Sequence, residues 1–128
     1  MPAPLLKTKL YVPAARPALV ARPRLVDRLR RGLQLKLTLV SAPAGYGKTT
    51  LLSEWATGAA CPLAWLSLDE NDNEPTRFLV YLVAALQQID PRIGRDLDPT
   101  SAAPAHTLLT HLINDLAGLD RRALLVLD

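Results

Sequence analysis

Ala42-Pro43-Ala44-Gly45-Tyr46-Gly47-Lys48-Thr49-Thr50 lies between two runs of different periodicity. Before it, Leu35-Lys36-Leu37-Thr38-Leu39-Val40 alternates as a strand does. After it, residues 50–57 read as a helix with Leu51, Leu52 and Trp55 on its apolar face, closed by Gly58. Strand, tight glycine-containing turn and helix is the context in which a small-x4-Gly-Lys-Thr pattern forms a phosphate-binding loop. Glycines let successive N–H groups converge without side-chain clash, and the helix adds the partial positive charge of its N-terminus. Lys48 then supplies the point charge for β- and γ-phosphates, and the Thr49 hydroxyl a ligand for Mg²⁺. Thr50 and the backbone of Ala44, Gly45, Tyr46 and Gly47 hold the remaining oxygens. Ala42 stands where the pattern has its first glycine. The competing reading is an ordinary strand-to-helix turn with a surface lysine, and the pattern in this strand-and-helix context weighs against it.

The length of 128 residues allows one domain with a substantial core and not two full ones. A hydrophobic content of 49% excludes disorder as the overall class. Aromatic residues make up only 5%, so the core must be built from Leu, Val and Ala, as in helices packed on a parallel sheet. One cysteine, Cys61, leaves no intrachain disulfide and suggests a reducing compartment. No apolar run is long enough to span a membrane, and the first ten residues lack a signal-peptide core. The expectation is a soluble, cytoplasmic protein. From residue 7 to 36 there are nine basic residues and one acid, Asp27, so the remainder is net acidic. Such a basic segment can serve nucleic acid, although Tyr11 is its only aromatic and no reading motif is present.

Pro2, Pro4, Pro13, Pro17 and Pro23 make residues 1–23 an extended, proline-rich N-terminal arm whose Leu5, Leu6, Leu10, Val12, Leu19 and Val20 need cover. A helix is predicted over 24–33, a first strand over 35–41 and a second over 63–68, the latter apolar enough to be buried on both faces. The acidic loop Asp69-Glu70-Asn71-Asp72-Asn73-Glu74 can hold a divalent metal or cap the next helix. It lacks the spacing of an EF-hand, and Pro75 suits a first helical turn, which favours the cap. Helices follow over 76–89, stopped by Asp90-Pro91, and over 105–116. His106 and His111 fall on different faces of the last helix, so they make poor partners for one metal. Ala123-Leu124-Leu125-Val126-Leu127-Asp128 reads as a buried strand delivering one carboxylate to a nucleotide-bound Mg²⁺, the Walker B role.

Together these residues resemble the MalT-like branch of LuxR-type transcriptional regulators, which are STAND-class ATPases. The resemblance runs from Lys7 to Asp128. It rests on Lys9-Leu10 with Pro13, on Val20-Ala21-Arg22-Pro23-Arg24-Leu25, and on the loop from Ser41 to Thr50. Trp65-Leu66-Ser67-Leu68-Asp69 with Asp72-Asn73, and Leu125-Val126-Leu127-Asp128, complete it. It implies an α/β fold, an incomplete P-loop NTPase three-layer sandwich with a mostly parallel sheet of three strands flanked by helices. Residues 24–128 would form the N-terminal portion of that domain, ending at the Walker B strand, and the strand over 35–40 would be left with an unpaired edge.

The resemblance further implies an ATP-binding switch. Ala42, Pro43, Ala44, Gly45, Tyr46, Gly47, Lys48 and Thr49 would hold ATP, Thr49 and Asp128 would hold Mg²⁺, and Val20 and Arg22 would border the base. Such proteins respond to a small-molecule inducer, self-associate when ATP is bound, and bind DNA through a C-terminal helix-turn-helix that is not among these residues. The second acidic residue that follows the Walker B Asp in the family is absent too, so the expectation is ATP binding without the full hydrolytic site. Two alternatives stay open. One is a P-loop kinase or other phosphotransferase, for which Arg92 and Arg95 are the candidate lid arginines. The other is a nucleic-acid-binding module acting through the basic segment.

Overall fold

Parallel strands need a long connection between them, and the longest apolar-periodic stretch of this chain supplies one. In the computed structural model, which describes residues 4–14, 22–34, 39–41, 43, 47–59, 61–99 and 101–128, strand β1 (Leu63–Leu66) pairs in parallel with β2 (Leu124–Leu127). Leu63 stands opposite Leu124, and Leu66 opposite Leu127. Helices α3 (Pro75–Leu86) and α4 (Ala105–Ala117) lie between them in sequence. Helices α1 (Pro23–Gly32) and α2 (Lys48–Thr57) precede β1, and 3-10 turns occupy Lys7–Leu10 and Glu70–Asn73. The described residues therefore form a mixed helix-and-strand structure with a two-stranded parallel sheet. The expected strand over 35–41 falls largely outside them, and its described part, Leu39, Val40 and Ser41, carries no strand structure.

The chain divides into two compact units, Met1–Tyr11 with Cys61–Asp128, and Val12–Ala60. In the first, Ala64, Trp65 and Leu66 are fully buried, as expected of a strand covered on both faces. Ala64 and Leu66 join Leu79, Leu82 and Leu86 of α3, Leu108 and Leu112 of α4, and Leu10 in one core cluster. Helix α3 is apolar around most of its circumference and packs on β1, on α4 and on both 3-10 turns, which is why it tolerates so few polar positions. In the second unit α1 buries Val26 and Leu29, and α2 buries Leu51, Ser53 and Trp55.

Two expectations change. Strand β2 is not buried throughout: Val126 is covered, but Leu125 and Leu127 on the opposite face are 39% and 46% exposed. The physical reason is one-sided packing, since β1 is its only strand neighbour among the described residues. The N-terminal segment is not extended throughout either. Lys7–Leu10 closes a 3-10 turn because Ser67 N–H donates to Lys9 O at 2.8 Å and Leu6 N–H to the Tyr81 hydroxyl at 3.0 Å. Leu10 does find the cover it needed, inside the core cluster.

Candidate functional site

Helix α2 begins at Lys48, two residues earlier than its apolar periodicity suggests. The cause is Gly47, whose φ of 80° and ψ of 28° put it in the left-handed region that glycine enters without a Cβ penalty. Its carbonyl accepts the first intrahelical bond, from Leu51 N–H at 2.9 Å. The N–H groups of Lys48, Thr49 and Thr50 precede that bond and sit at the positive end of the helix. Lys48 and Thr50 are half-buried and Thr49 is exposed. Below them the buried Ser53 hydroxyl donates to Thr49 O at 2.8 Å, and Thr57 to Ser53 O at 2.9 Å, bracing the turn from its inner side. Ser53 had no role in the sequence reading; its spacing of four residues from Thr49 is the signal that points to it.

Of the other residues assigned to ATP, Pro43 is described and exposed, while Ala42, Ala44, Gly45, Tyr46 and Val20 lie outside the described residues. Arg22 is exposed at the N-cap of α1. The described part of the loop has the parts a phosphate needs, a left-handed glycine and a helix N-terminus. A Cβ added at Gly47 would meet no atom of the described residues within 4 Å, and Lys48 follows directly as the first residue of the helix. Thr49 and Asp128 are hard oxygen donors of the kind Mg²⁺ accepts together with waters and phosphate oxygens. They belong to different units, Thr49 to Val12–Ala60 and Asp128 to the other. Among the described residues no group of three or more His, Cys, Asp and Glu could hold a metal by itself.

Asp128 directly follows β2. Its N–H donates to Leu66 O at 3.0 Å, and its carbonyl accepts from Leu68 N–H at 2.7 Å. The acidic loop after β1 acts as a pair of caps. Asp69 accepts from Asn71 N–H at 2.8 Å, and Asp72 from Asp69 N–H at 2.8 Å, closing the 3-10 turn. Glu74 then caps α3, its carboxylate accepting from Thr76 and Arg77 N–H at 3.0 and 2.7 Å with Pro75 at the first helical position. Those two bonds, Arg77's foremost, hold the Glu74 carboxyl below its ordinary value.

The same loop holds a group that sequence reasoning missed. Lys9 is buried, with its ammonium 2.8 Å from Asp69 Oδ2 and 2.6 Å from Asp72 Oδ2. It also lies 4.9 Å from the centre of the Tyr81 ring, and the Arg77 guanidinium 5.1 Å from that same ring. Arg77 Nε approaches Asp72 Oδ1 only to 3.7 Å, so neither buried atom has a hydrogen-bond partner among the described residues. Two cations and two carboxylates compensate one another, which is what makes burial of this lysine tolerable. Burial alone would lower the Lys9 pKa, but hydrogen bonds to Asp69 and Asp72 and their charges outweigh it and the value is raised. The bond from Lys9 is the chief reason that Asp69 is lowered.

Arg92, a candidate lid arginine, is engaged in a side-chain pair with Asp90 at 2.7 Å, while Arg95 is exposed. His106 and His111 are exposed on α4, and Cys61 is a half-buried thiol.

No protein-family model matches the chain. HTH-type transcriptional regulators MalT from Serratia proteamaculans and Cronobacter sakazakii are 51% and 49% identical to it over 83 and 84 residues, 65% and 66% of the chain. The regulator of the same name from Klebsiella pneumoniae is 39% identical over 131 aligned positions, which take in 97% of the chain. The chain is MalT-like. It spans 9% to 14% of the length of these MalT regulators. Among the described residues no helix is long and apolar enough to cross a membrane.

Proposed function

We propose that this chain is the nucleotide-binding part of a switch in a cytoplasmic transcriptional regulator, with ATP as its ligand. The observation that carries the reading is the left-handed Gly47 opening directly onto the N-terminus of α2 in a MalT-like sequence, with Lys48 and Thr49 in the first turn. In this reading the strand over 35–41 is the third strand of a P-loop sandwich. Lys48 neutralises terminal phosphate charge, Thr50 and the backbone from Ala44 to Gly47 hold the remaining oxygens, and Val20 and Arg22 border the base. Thr49 and Asp128 would be the protein's ligands to Mg²⁺, which supplies charge neutralisation at the phosphates. Binding energy shifts a conformational equilibrium, so fast turnover is not required. The inducer, ATP-dependent self-association and DNA binding through a helix-turn-helix belong to the larger regulator.

Titration with fluorescent ATP tests this. Lys48→Ala should weaken binding by about tenfold or more, the loss of a charge-assisted contact of about 1.5–3 kcal/mol. Unchanged affinity overturns it. Salt-sensitive duplex DNA binding that ignores Lys48→Ala would instead support the basic segment as the functional surface. The burial of Lys9, one cation of that segment, between two carboxylates argues against that outcome.

A further inference from the structure

Four consecutive residues at the end of β1 are tied alternately to two different parts of the chain. Leu66 O accepts from Asp128 N–H at 3.0 Å, and Leu68 N–H donates to Asp128 O at 2.7 Å. Between them Ser67 N–H donates to Lys9 O at 2.8 Å, on the opposite edge. Next, Asp69 receives the Lys9 ammonium at 2.8 Å. Backbone groups of an extended strip point alternately to its two edges, so Asp128 and Lys9 grip one strip from opposite sides. Ser67 and Leu68 belong to neither strand nor helix, so these bonds, with the Trp65 indole N–H on Ser67 Oγ at 2.9 Å, fix where the strip lies.

We infer that Lys9 is a positioning residue for the Asp128 carboxylate, acting through the strip Leu66-Ser67-Leu68-Asp69. The inference rests on the reading of Asp128 as a ligand to nucleotide-bound Mg²⁺. Removal of the ammonium leaves Asp69 and Asp72 as neighbouring like charges, with Arg77 no closer than 4.0 and 3.7 Å. Their repulsion drives the loop outward, Leu68 follows it, and the backbone of Asp128 loses its outer hydrogen bond. Linkage makes the coupling reciprocal: metal–nucleotide bound at Asp128 tightens the grip of the N-terminal segment on the sheet. A segment that sequence alone presents as an extended arm is thereby a part that senses whether the metal site is filled.

The test compares wild type, Lys9→Met, Lys9→Arg and the milder Asp69→Asn in the full protein, with two readouts. The first is calorimetric titration with ATP, with Mg²⁺ and with EDTA. Lys9→Met should lower affinity for MgATP by about tenfold, as loss of support around a ligating group does, and leave affinity for metal-free ATP unchanged. Asp69→Asn should act in the same direction more weakly, and Lys9→Arg should recover most of the loss. Equal losses with and without Mg²⁺, or none in any variant, overturn the inference. The second readout is hydrogen exchange at the Leu68 and Asp128 amides, which should speed up in Lys9→Met and Asp69→Asn while α4 amides stay unchanged. Unchanged exchange there overturns the coupling whatever the nucleotide result. If wild type has no affinity for MgATP, the nucleotide reading falls, and the exchange data alone decide whether Lys9 positions Asp128.

Discussion

Gly47 and Gly94 are the residues of positive φ among those described, at 80° and 64°, and they differ in what surrounds them. A Cβ at Gly47 meets none of the described residues, so Gly47→Ala should carry chiefly the left-handed backbone penalty, about 1 kcal/mol. At Gly94 the same atom would sit 2.9 Å from Val83 Cγ1, in the core beside Leu112. Overpacking there adds about 1–3 kcal/mol, so urea denaturation should show Gly94→Ala to be at least twice as destabilising as Gly47→Ala. The order should reverse for ATP affinity, because only the Gly47 side chain would enter the space proposed for phosphate. Charge at single residues sets the acid limit. Arg92 holds the Asp90 carboxyl down at about 2, and Lys9 holds Asp69 below its ordinary 3.8. A lowered folded pKa contributes stability that is fully present above the unfolded value and lost as pH falls through the folded one. For Lys9, raised above 10.5, the sign reverses: its contribution is complete below that value and fades as pH climbs through the raised one. Denaturation midpoints should therefore fall between about pH 4 and 2, and Asp90→Asn should flatten part of that fall, measurably less so in high salt because the Arg92 side of the pair faces solvent.

At the scale of elements, α3 depends on its first turn. Glu74 caps it with both carboxylate oxygens, a role more often taken by the shorter Asp, Asn, Ser or Thr. Glu74→Ala should cost about 1 kcal/mol and Glu74→Asp much less, read from thermal melting at pH 7. The four helices were legible in the sequence because their causes are local: apolar spacing, Pro23 and Pro75 at the starts, Gly58 and Gly118 after the ends. The turn at Lys7–Leu10 was not, because what folds it is Tyr81 and the acidic loop, 75 and about 60 residues away. Strand β1 ends at Leu66, short of its apolar run, opposite the end of β2 at Leu127. Of the candidate site, the motif around Lys48 was readable at once, whereas the ion pairs beneath the sheet end were not. No pattern within ten residues of Lys9 announces that an ammonium will be buried.

For the molecule as a whole, each unit contains one of the two tryptophans, Trp55 in Val12–Ala60 and Trp65 in the other, both buried. Single-tryptophan variants thus report the units separately by fluorescence. With Trp65→Phe leaving Trp55 as the probe, ATP at a hundred times its Kd should stabilise the phosphate-loop unit by about 2.7 kcal/mol, and an unmoved Trp55 transition would count against ATP binding there.

The order of synthesis gives the unit boundaries another meaning. Val12–Ala60 is one unbroken stretch, while the sheet-bearing unit is assembled from Met1–Tyr11 and Cys61–Asp128. Lys9 leaves the ribosome 60 residues ahead of Asp69, an interval of roughly 3–12 s at ordinary elongation rates. During that wait its ammonium is hydrated and Leu10 has no core to enter, while α1 and α2 already have their whole sequence. Strand β1 follows α1 and α2 in sequence, and β2 follows every other described element. Capture of the waiting lysine closes a loop whose entropic cost grows only slowly with length, so the intervening unit adds little to it. The two carboxylates that bury Lys9 are therefore also the point at which a later part of the chain takes hold of an earlier one.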